Sequence, residues 1–136
     1  MSFLEVNSIN TYYGQSHVLH DLSLTVDEGA LSTLVGRNGA GKTTTLKSIM
    51  GIQNPRSGTI RFAGADITNN DSHETAKLGI SYIPEQRRVF PELTVAENLR
   101  MGHLGHDIPE SQIDDLTARI YEYFPRLEER ASQLAG

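Results

Sequence analysis

Hydrophobic and polar residues alternate through the first third of the chain. Leu22, Leu24 and Val26 face one way and Ser23 and Thr25 the other, the period of a half-buried strand. Phe3-Leu4-Glu5-Val6 predicts its partner strand, and Asp27-Glu28-Gly29 predicts a turn. Residues 31–35 form a short, mostly apolar run and predict a buried strand. After Gly36 the period lengthens. Leu46, Ile49 and Met50 fall at i, i+3 and i+4, which predicts a helix over residues 42–50 with one apolar face, stopped at Gly51. Pro55-Arg56-Ser57-Gly58 reads as a turn and Thr59-Ile60-Arg61-Phe62 as another alternating strand. Residues 78–83 are a further apolar strand candidate, ending at Pro84.

From residue 91 the pattern turns helical. Thr94-Val95-Ala96-Glu97 has the spacing of a capping box, in which a hydroxyl and a carboxylate satisfy each other's end of a first turn. Residues 101–107 hold two glycines and two histidines and predict a loop. Ile113, Leu116, Ile120 and Phe124 make an apolar stripe, with Asp115 and Arg119 expected to pair at i, i+4 on the polar side. Pro125 interrupts it. The order is an antiparallel ribbon, a strand-loop-helix unit, more strands, then helices. This is an α/β layout dividing into residues 1–90 and 91–136.

With 136 residues the chain has the length of one compact domain. It has no cysteine, which excludes a disulfide scaffold, a thiolate metal site and a cysteine nucleophile. The net charge is −5, and residues 107–136 alone carry seven acids against three arginines. Such a balance argues against a nucleic-acid partner, which calls for a basic face. The other residues are nearly neutral, so local geometry can still hold a small anion. No apolar run reaches the roughly 18 residues of a membrane span, and the start lacks the layout of a signal peptide. A cytosolic chain is expected.

One segment carries explicit chemistry. Gly36-Arg37-Asn38-Gly39-Ala40-Gly41-Lys42-Thr43 matches G-x-x-x-x-G-K-[ST] in full. A phosphate chain needs several N–H donors converging on it, and a loop with few Cβ atoms can curl that tightly. The helix beginning at Lys42 aims its unsatisfied N–H groups and positive dipole end at the same spot. Lys42 adds a full charge for the β- and γ-phosphates, and Thr43 offers a hydroxyl to Mg²⁺. At average composition this pattern arises by chance in about one chain of this length in a few hundred.

Tyr12-Tyr13-Gly14, the run from Gly36 through Lys42, Thr43, Thr44 and Thr45 to Leu46, and Val89-Phe90-Pro91-Glu92-Leu93-Thr94-Val95 resemble the ATP-binding subunits of ABC transporters. Within that family Glu85-Gln86-Arg87-Arg88-Val89-Phe90-Pro91 and Tyr121-Glu122-Tyr123-Phe124-Pro125-Arg126-Leu127 look like importers of branched-chain amino acids, with urea and amide importers as near neighbours. The resemblance implies a P-loop NTPase fold with an antiparallel β subdomain and the start of a helical subdomain. It implies ATP and Mg²⁺ as ligands, with residues 36–44 around the phosphates. It also implies a second ATP-binding subunit and membrane-spanning permeases as partners, and a place on the inner face of the cell membrane. An aromatic residue before a glycine stacks on adenine in this family, a position that Tyr13 matches; Tyr12 reads instead as a strand tyrosine packed on its neighbours. The family's glutamine that reaches Mg²⁺ and the attacking water falls by count on Glu85, with Gln86 one residue later. Glu85 is favoured as the metal contact, with Gln86 the alternative. A carboxylate there accepts from a metal-bound water but cannot donate as an amide does.

Other expected parts are not in the sequence. No apolar run after the phosphate loop ends in the paired acids that hold Mg²⁺ and orient water. The Leu-Ser-Gly-Gly-Gln signature and the switch histidine are absent too. The chain therefore looks like the N-terminal part of a longer ATPase, with no catalytic residue of its own, inactive alone, and marginally stable or self-associating. A non-catalytic nucleotide-binding or interaction fragment is the competing reading. A stand-alone kinase or GTPase is disfavoured, since no Asn-Lys-x-Asp occurs. His103 and His106 lack a carboxylate at helical spacing and read as surface histidines, and Arg87-Arg88 as a solvated pair.

Overall fold

A computed structural model describes residues 2–136 apart from Arg87, Gly105 and Asp107. It forms two compact units, residues 1–82 and 83–136. In the first, strands β1 (Ser2–Tyr13), β2 (Ser16–Asp27), β3 (Ser57–Phe62) and β4 (Ala65–Asp66) make one antiparallel sheet in the order β2-β1-β3-β4. The expected ribbon is present: Leu4 pairs with Val26, Glu5 with Thr25 and Val6 with Leu24. The alternation of β2 holds as well, with Leu22, Leu24 and Val26 half-buried and Ser23 and Thr25 exposed. Val6, Ile9, Leu19, Ile49, Ile60 and Ile67 form the core.

The ribbon is not regular. Its register shifts between Val6 and Ile9 and again between Ile9 and Thr11, and Ser8 and Asp21 take positive φ near these irregularities. Asn10 ties the region together. Its Nδ2 donates to Asp21 Oδ1 at 2.9 Å and Ser57 Oγ at 3.1 Å, and its Oδ1 accepts from the Asp21 N–H at 3.2 Å. A side-chain amide has both donors and acceptors, so one residue can serve both strands of a bulge.

Helix α1 (Lys42–Ile49) starts where the period change places it. The Ile52 N–H closes its far end onto Lys47 O at 2.9 Å, and the Gly51 N–H onto Ser48 O at 3.2 Å. Ile49 and Met50 of the expected apolar face are buried, but Leu46 is not, and hydroxyl side chains take up the rest of the buried face. Thr44, Thr45, Ser48 and Ile49 are buried, whereas Leu46 is 45% exposed and lines an apolar groove with Leu34, Leu24 and Leu4. Two of these hydroxyls have partners that make burial tolerable: Ser48 Oγ meets Thr11 Oγ1 at 2.9 Å, and Thr45 Oγ1 donates to Gly41 O at 2.9 Å.

Two expected strands do not form. Residues 31–35 have no regular structure, with Leu31 97% and Val35 82% exposed. Residues 78–83 likewise lack a ladder. Leu78 instead caps α2 (Ser72–Lys77), and Ile80 packs against the core. An apolar run becomes a strand only beside another strand that accepts its hydrogen bonds. Among the described residues the strands β1 to β4 pair with each other and not with either run.

The second unit contains α3 (Val95–Met101), α4 (Glu110–Tyr123) and α5 (Pro125–Glu129). The capping box forms: Thr94 Oγ1 accepts from the Glu97 N–H at 3.2 Å, and Glu97 Oε2 accepts from the Thr94 N–H at 2.7 Å. Asn98 holds the preceding turn, accepting from the Phe90 N–H and donating to Phe90 O. The C-terminal segment lies along this turn, with the Val95 N–H donating to Gln133 O and the Ala135 N–H to Leu93 O. Pro125 at the first position of α5 separates it from α4. The Asp115–Arg119 pair does not close. Arg100 reaches Glu110 at 2.6 Å and Asp114 at 3.7 Å instead, bridging from α3 to α4. These ions are exposed, so the bridge stabilises by well under about 1 kcal/mol. The stripe stays partly open, with Leu116 36% and Phe124 61% exposed.

Gly58 crosses β1 with φ +91, and a Cβ there would lie 2.5 Å from Ser8 O and 2.6 Å from Ile9 Cα. Gly58→Ala is expected to cost at least about 2 kcal/mol in urea unfolding. The Thr94 backbone N–H, and secondarily its hydroxyl, hold the Glu97 carboxyl below its usual 4.5. The bonded carboxylate thus stabilises α3 in full above pH 4.5, and the contribution fades as pH falls through the lowered folded value. In an NMR titration Thr94→Ala should raise the Glu97 midpoint only part-way, because the larger backbone contribution survives.

Candidate phosphate-binding site

Residues 36–40 are exposed and run without regular structure into α1. Within them the Ala40 N–H donates to Arg37 O at 3.1 Å, closing a turn over Asn38 and Gly39. Gly41 is the N-cap of α1, in left-handed conformation with φ 96 and ψ 4, and no side chain caps the helix. The first i to i−4 bond runs from the Thr45 N–H to Gly41 O at 2.8 Å. The N–H groups of Lys42, Thr43 and Thr44 therefore precede the helical ladder, at the positive end of its dipole.

Lys42 bends back over the loop. Its Nζ donates to Gly36 O at 2.7 Å and to Arg37 O at 2.8 Å. The amine thus reaches back to the beginning of the loop, while the backbone of the same residue starts the helix at the loop's end. Gly41 is required twice over: its backbone suits glycine, and a Cβ would sit 2.6 Å from Leu19 Cδ2 in the core. Thr43 is exposed, while Thr44 is buried.

The remaining sequence candidates lie elsewhere. Tyr13 ends β1 and is 41% exposed. Tyr12 packs on its neighbours as expected, stacked on His17 at 4.1 Å between ring centroids and under the Arg56 guanidinium at 4.2 Å. Glu85 and Gln86 belong to the second unit and are exposed. His106 is exposed and His103 half-buried; among the described residues no cluster of His, Asp and Glu could hold a metal ion. The reading of Arg87 with Arg88 lies in part outside the described residues. Sequence reasoning missed the hydroxyls that seat α1. Thr45 and Ser48, three apart on one helix face, were the available signal.

A family model described as ABC transporter matches residues 19–135. This chain belongs to the ABC transporter family. It is 41% identical over 133 residues to the high-affinity branched-chain amino acid transport ATP-binding protein BraG of Pseudomonas aeruginosa, covering 98% of this chain and 56% of BraG. It is 33% identical to the probable branched-chain amino acid transport ATP-binding protein LivF of Archaeoglobus fulgidus, with 98% and 56% covered. Its fold is similar to a solved ATP-binding subunit of an ABC transporter, with TM-score 0.85, 33% identity, and 98% of this chain and 54% of that one covered. A nucleotide-free ATP-binding cassette from an ABC transporter gives TM-score 0.84 at 27% identity, covering 100% and 58%. The fold is thus that of the ABC ATPases, a P-loop NTPase fold, and the resemblance to the branched-chain amino acid transport proteins holds. The chain spans about half the length of these relatives. Among the described residues no helix of this ABC-family chain is long and apolar enough to cross a membrane.

Because both carbonyls held by Lys42 lie on an exposed loop, water can replace the amine. Lys42→Ala is expected to shift unfolding free energy by no more than about 1 kcal/mol in urea melts.

Proposed function

We propose that the chain supplies the ATP-binding part of an ABC importer's ATP-binding subunit, powering uptake of branched-chain amino acids. What supports the nucleotide reading is the start of α1: three N–H groups ahead of the helical ladder, no side-chain cap, and the Lys42 amine over the same loop. Such a donor set fits a polyphosphate and has no need of a particular base or sugar. In this reading the backbone of Gly36, Arg37, Asn38, Gly39, Ala40 and Gly41 wraps the phosphates. Lys42 carries the neutralising charge, Thr43 holds Mg²⁺ through its hydroxyl, and Thr44 adds its N–H. Mg²⁺, when bound, would supply charge neutralisation at the phosphate oxygens. Glu85 is the preferred second contact to the ion and Gln86 the alternative.

Tyr13 takes the adenine ring on its exposed face. Stacking on an aromatic ring is worth about 1–3 kcal/mol. The support for branched-chain amino acids as cargo is the naming of BraG and LivF. A subunit of this kind works as one of two ATP-binding subunits beneath membrane-spanning permeases, on the cytoplasmic face of the membrane. Residues 1–90 would form the nucleotide core and 91–136 open the helical subdomain. Hydrolysis in this family calls for acids that hold Mg²⁺ and orient water and for a signature; the part in that cycle proposed for the residues of this chain is the binding of MgATP.

Calorimetry with MgATP and with magnesium tripolyphosphate tests the reading. Lys42→Ala should weaken both ligands by about 1.5–3 kcal/mol, roughly ten- to hundredfold in Kd. Tyr13→Ala should weaken MgATP and leave tripolyphosphate unchanged. Wild-type binding of neither ligand would defeat the proposal, and steady ATP turnover that vanishes in Lys42→Ala would overturn the expectation that the chain is inactive alone.

A further inference from the structure

We propose that Gln53 and Arg56 are positioning residues that hold the Tyr13 ring in place for the nucleotide base. The inference rests on the adenine-stacking reading of Tyr13 and adds a specificity device to it. Tyr13 is the last residue of β1, and its pairing with Ser16 is the final rung of the ribbon. Past that rung lie only the two turn residues Gly14 and Gln15, and two side chains add restraint on either side of Tyr13. Gln53 Nε2 donates to Tyr12 O at 2.6 Å, on the peptide preceding Tyr13. Arg56 Nη2 donates to Gly14 O at 2.5 Å, one residue past it. The same guanidinium lies over the Tyr12 ring, and the Arg56 N–H donates to Asn10 O at 2.8 Å. A residue restrained on both sides has little freedom in the direction of its Cα–Cβ bond, which limits the positions its exposed ring can take to the few staggered settings of χ1.

The restraint also reaches the phosphate end. The N–H groups of Ile52 and Gln53 donate to Lys47 O at 2.9 and 3.2 Å, which fixes the clamp segment to the end of α1. Ser48 on the same helix meets Thr11 at 2.9 Å, two residues before Tyr13. One helix therefore starts at the phosphate loop and, through its other end, anchors the aromatic residue. That arrangement sets the separation between a ring for the base and donors for the phosphates. A ligand holding both groups benefits from a fixed separation; a bare triphosphate does not.

Dissociation constants for MgATP and magnesium tripolyphosphate, measured by calorimetry on the full chain, test the clamp. Arg56→Gln removes the fork, and Gln53→Met removes the amide at similar volume, so one remains informative should the other fail to fold. Each should weaken MgATP by about three- to tenfold and leave tripolyphosphate unchanged, with no further loss when combined with Tyr13→Ala. Arg56→Lys, which keeps the charge without the planar fork, should fall between. Equal loss for both ligands, no loss, or losses that multiply with Tyr13→Ala would overturn the clamp. A Tyr13→Ala variant that does not discriminate the two ligands would overturn the stacking reading itself. Amide exchange separates the two failures. Residues 13–16 should exchange about tenfold faster in Arg56→Gln, with residues 44–50 unchanged, and no acceleration overturns the clamp whatever Tyr13 does.

Discussion

A helix that offers its first backbone donors to solution has to be held by something else, and here that is a seam of buried hydroxyls. Thr11 and Ser48 share a hydrogen bond inside the first unit, and Thr45 turns its hydroxyl back to the helix's own N-cap carbonyl. A neutral hydrogen bond of this kind contributes about 0.5–1.5 kcal/mol net, yet loss of one partner strands the other at about 1–3 kcal/mol. The seam is therefore weak as a source of stability and strong as a selector of register. Sliding α1 by one residue would bury hydroxyls without partners. The orientation of the loop ahead of α1 follows from that penalty more than from the loop itself.

The sheet extends the same logic outward. β1 is the central strand for both ribbon and β3, so it receives the helix on one of its residues and Tyr13 on its last. The irregular register between Val6 and Thr11 is where Asn10 gathers β2 and β3 into one hydrogen-bonded knot. Bulges add twist, and a side chain that bonds several strands keeps that twist in one form. In the second unit Asn98 and the Thr94–Glu97 box do comparable work, fastening a turn through local bonds where few residues are buried.

Local signals were legible in the sequence. Alternation located the ribbon and β3, the change of period located the start of α1, and the capping box located α3, because each depends on residues a few positions apart. The glycine spacing with Lys42 and Thr43 was legible for the same reason. Properties set by distant neighbours were not. Residues 31–35 and 78–83 have strand composition, but pairing is decided by which other strands are within reach, and that cannot be read from a window. The apolar part of α1's buried face, Ile49 and Met50, was legible from its period; the hydroxyl part was not, because the partner that makes Ser48 an interior residue stands 37 positions away in Thr11. The clamp on Tyr13 was invisible likewise, since neither Gln53 nor Arg56 belongs to a motif.

The contact between Gly41 and Leu19 has a consequence for engineering. Stiffening a glycine-rich loop by adding a methyl group is an ordinary route to a more rigid binder, yet here that methyl would enter space already filled by a side chain that is 2% exposed. Trimming Leu19 to make room would open a void among Val6, Ile9 and Ile60. Loop rigidity and interior packing are thus one design variable in this molecule, and any library that diversifies the loop has to diversify the floor beneath it at the same time.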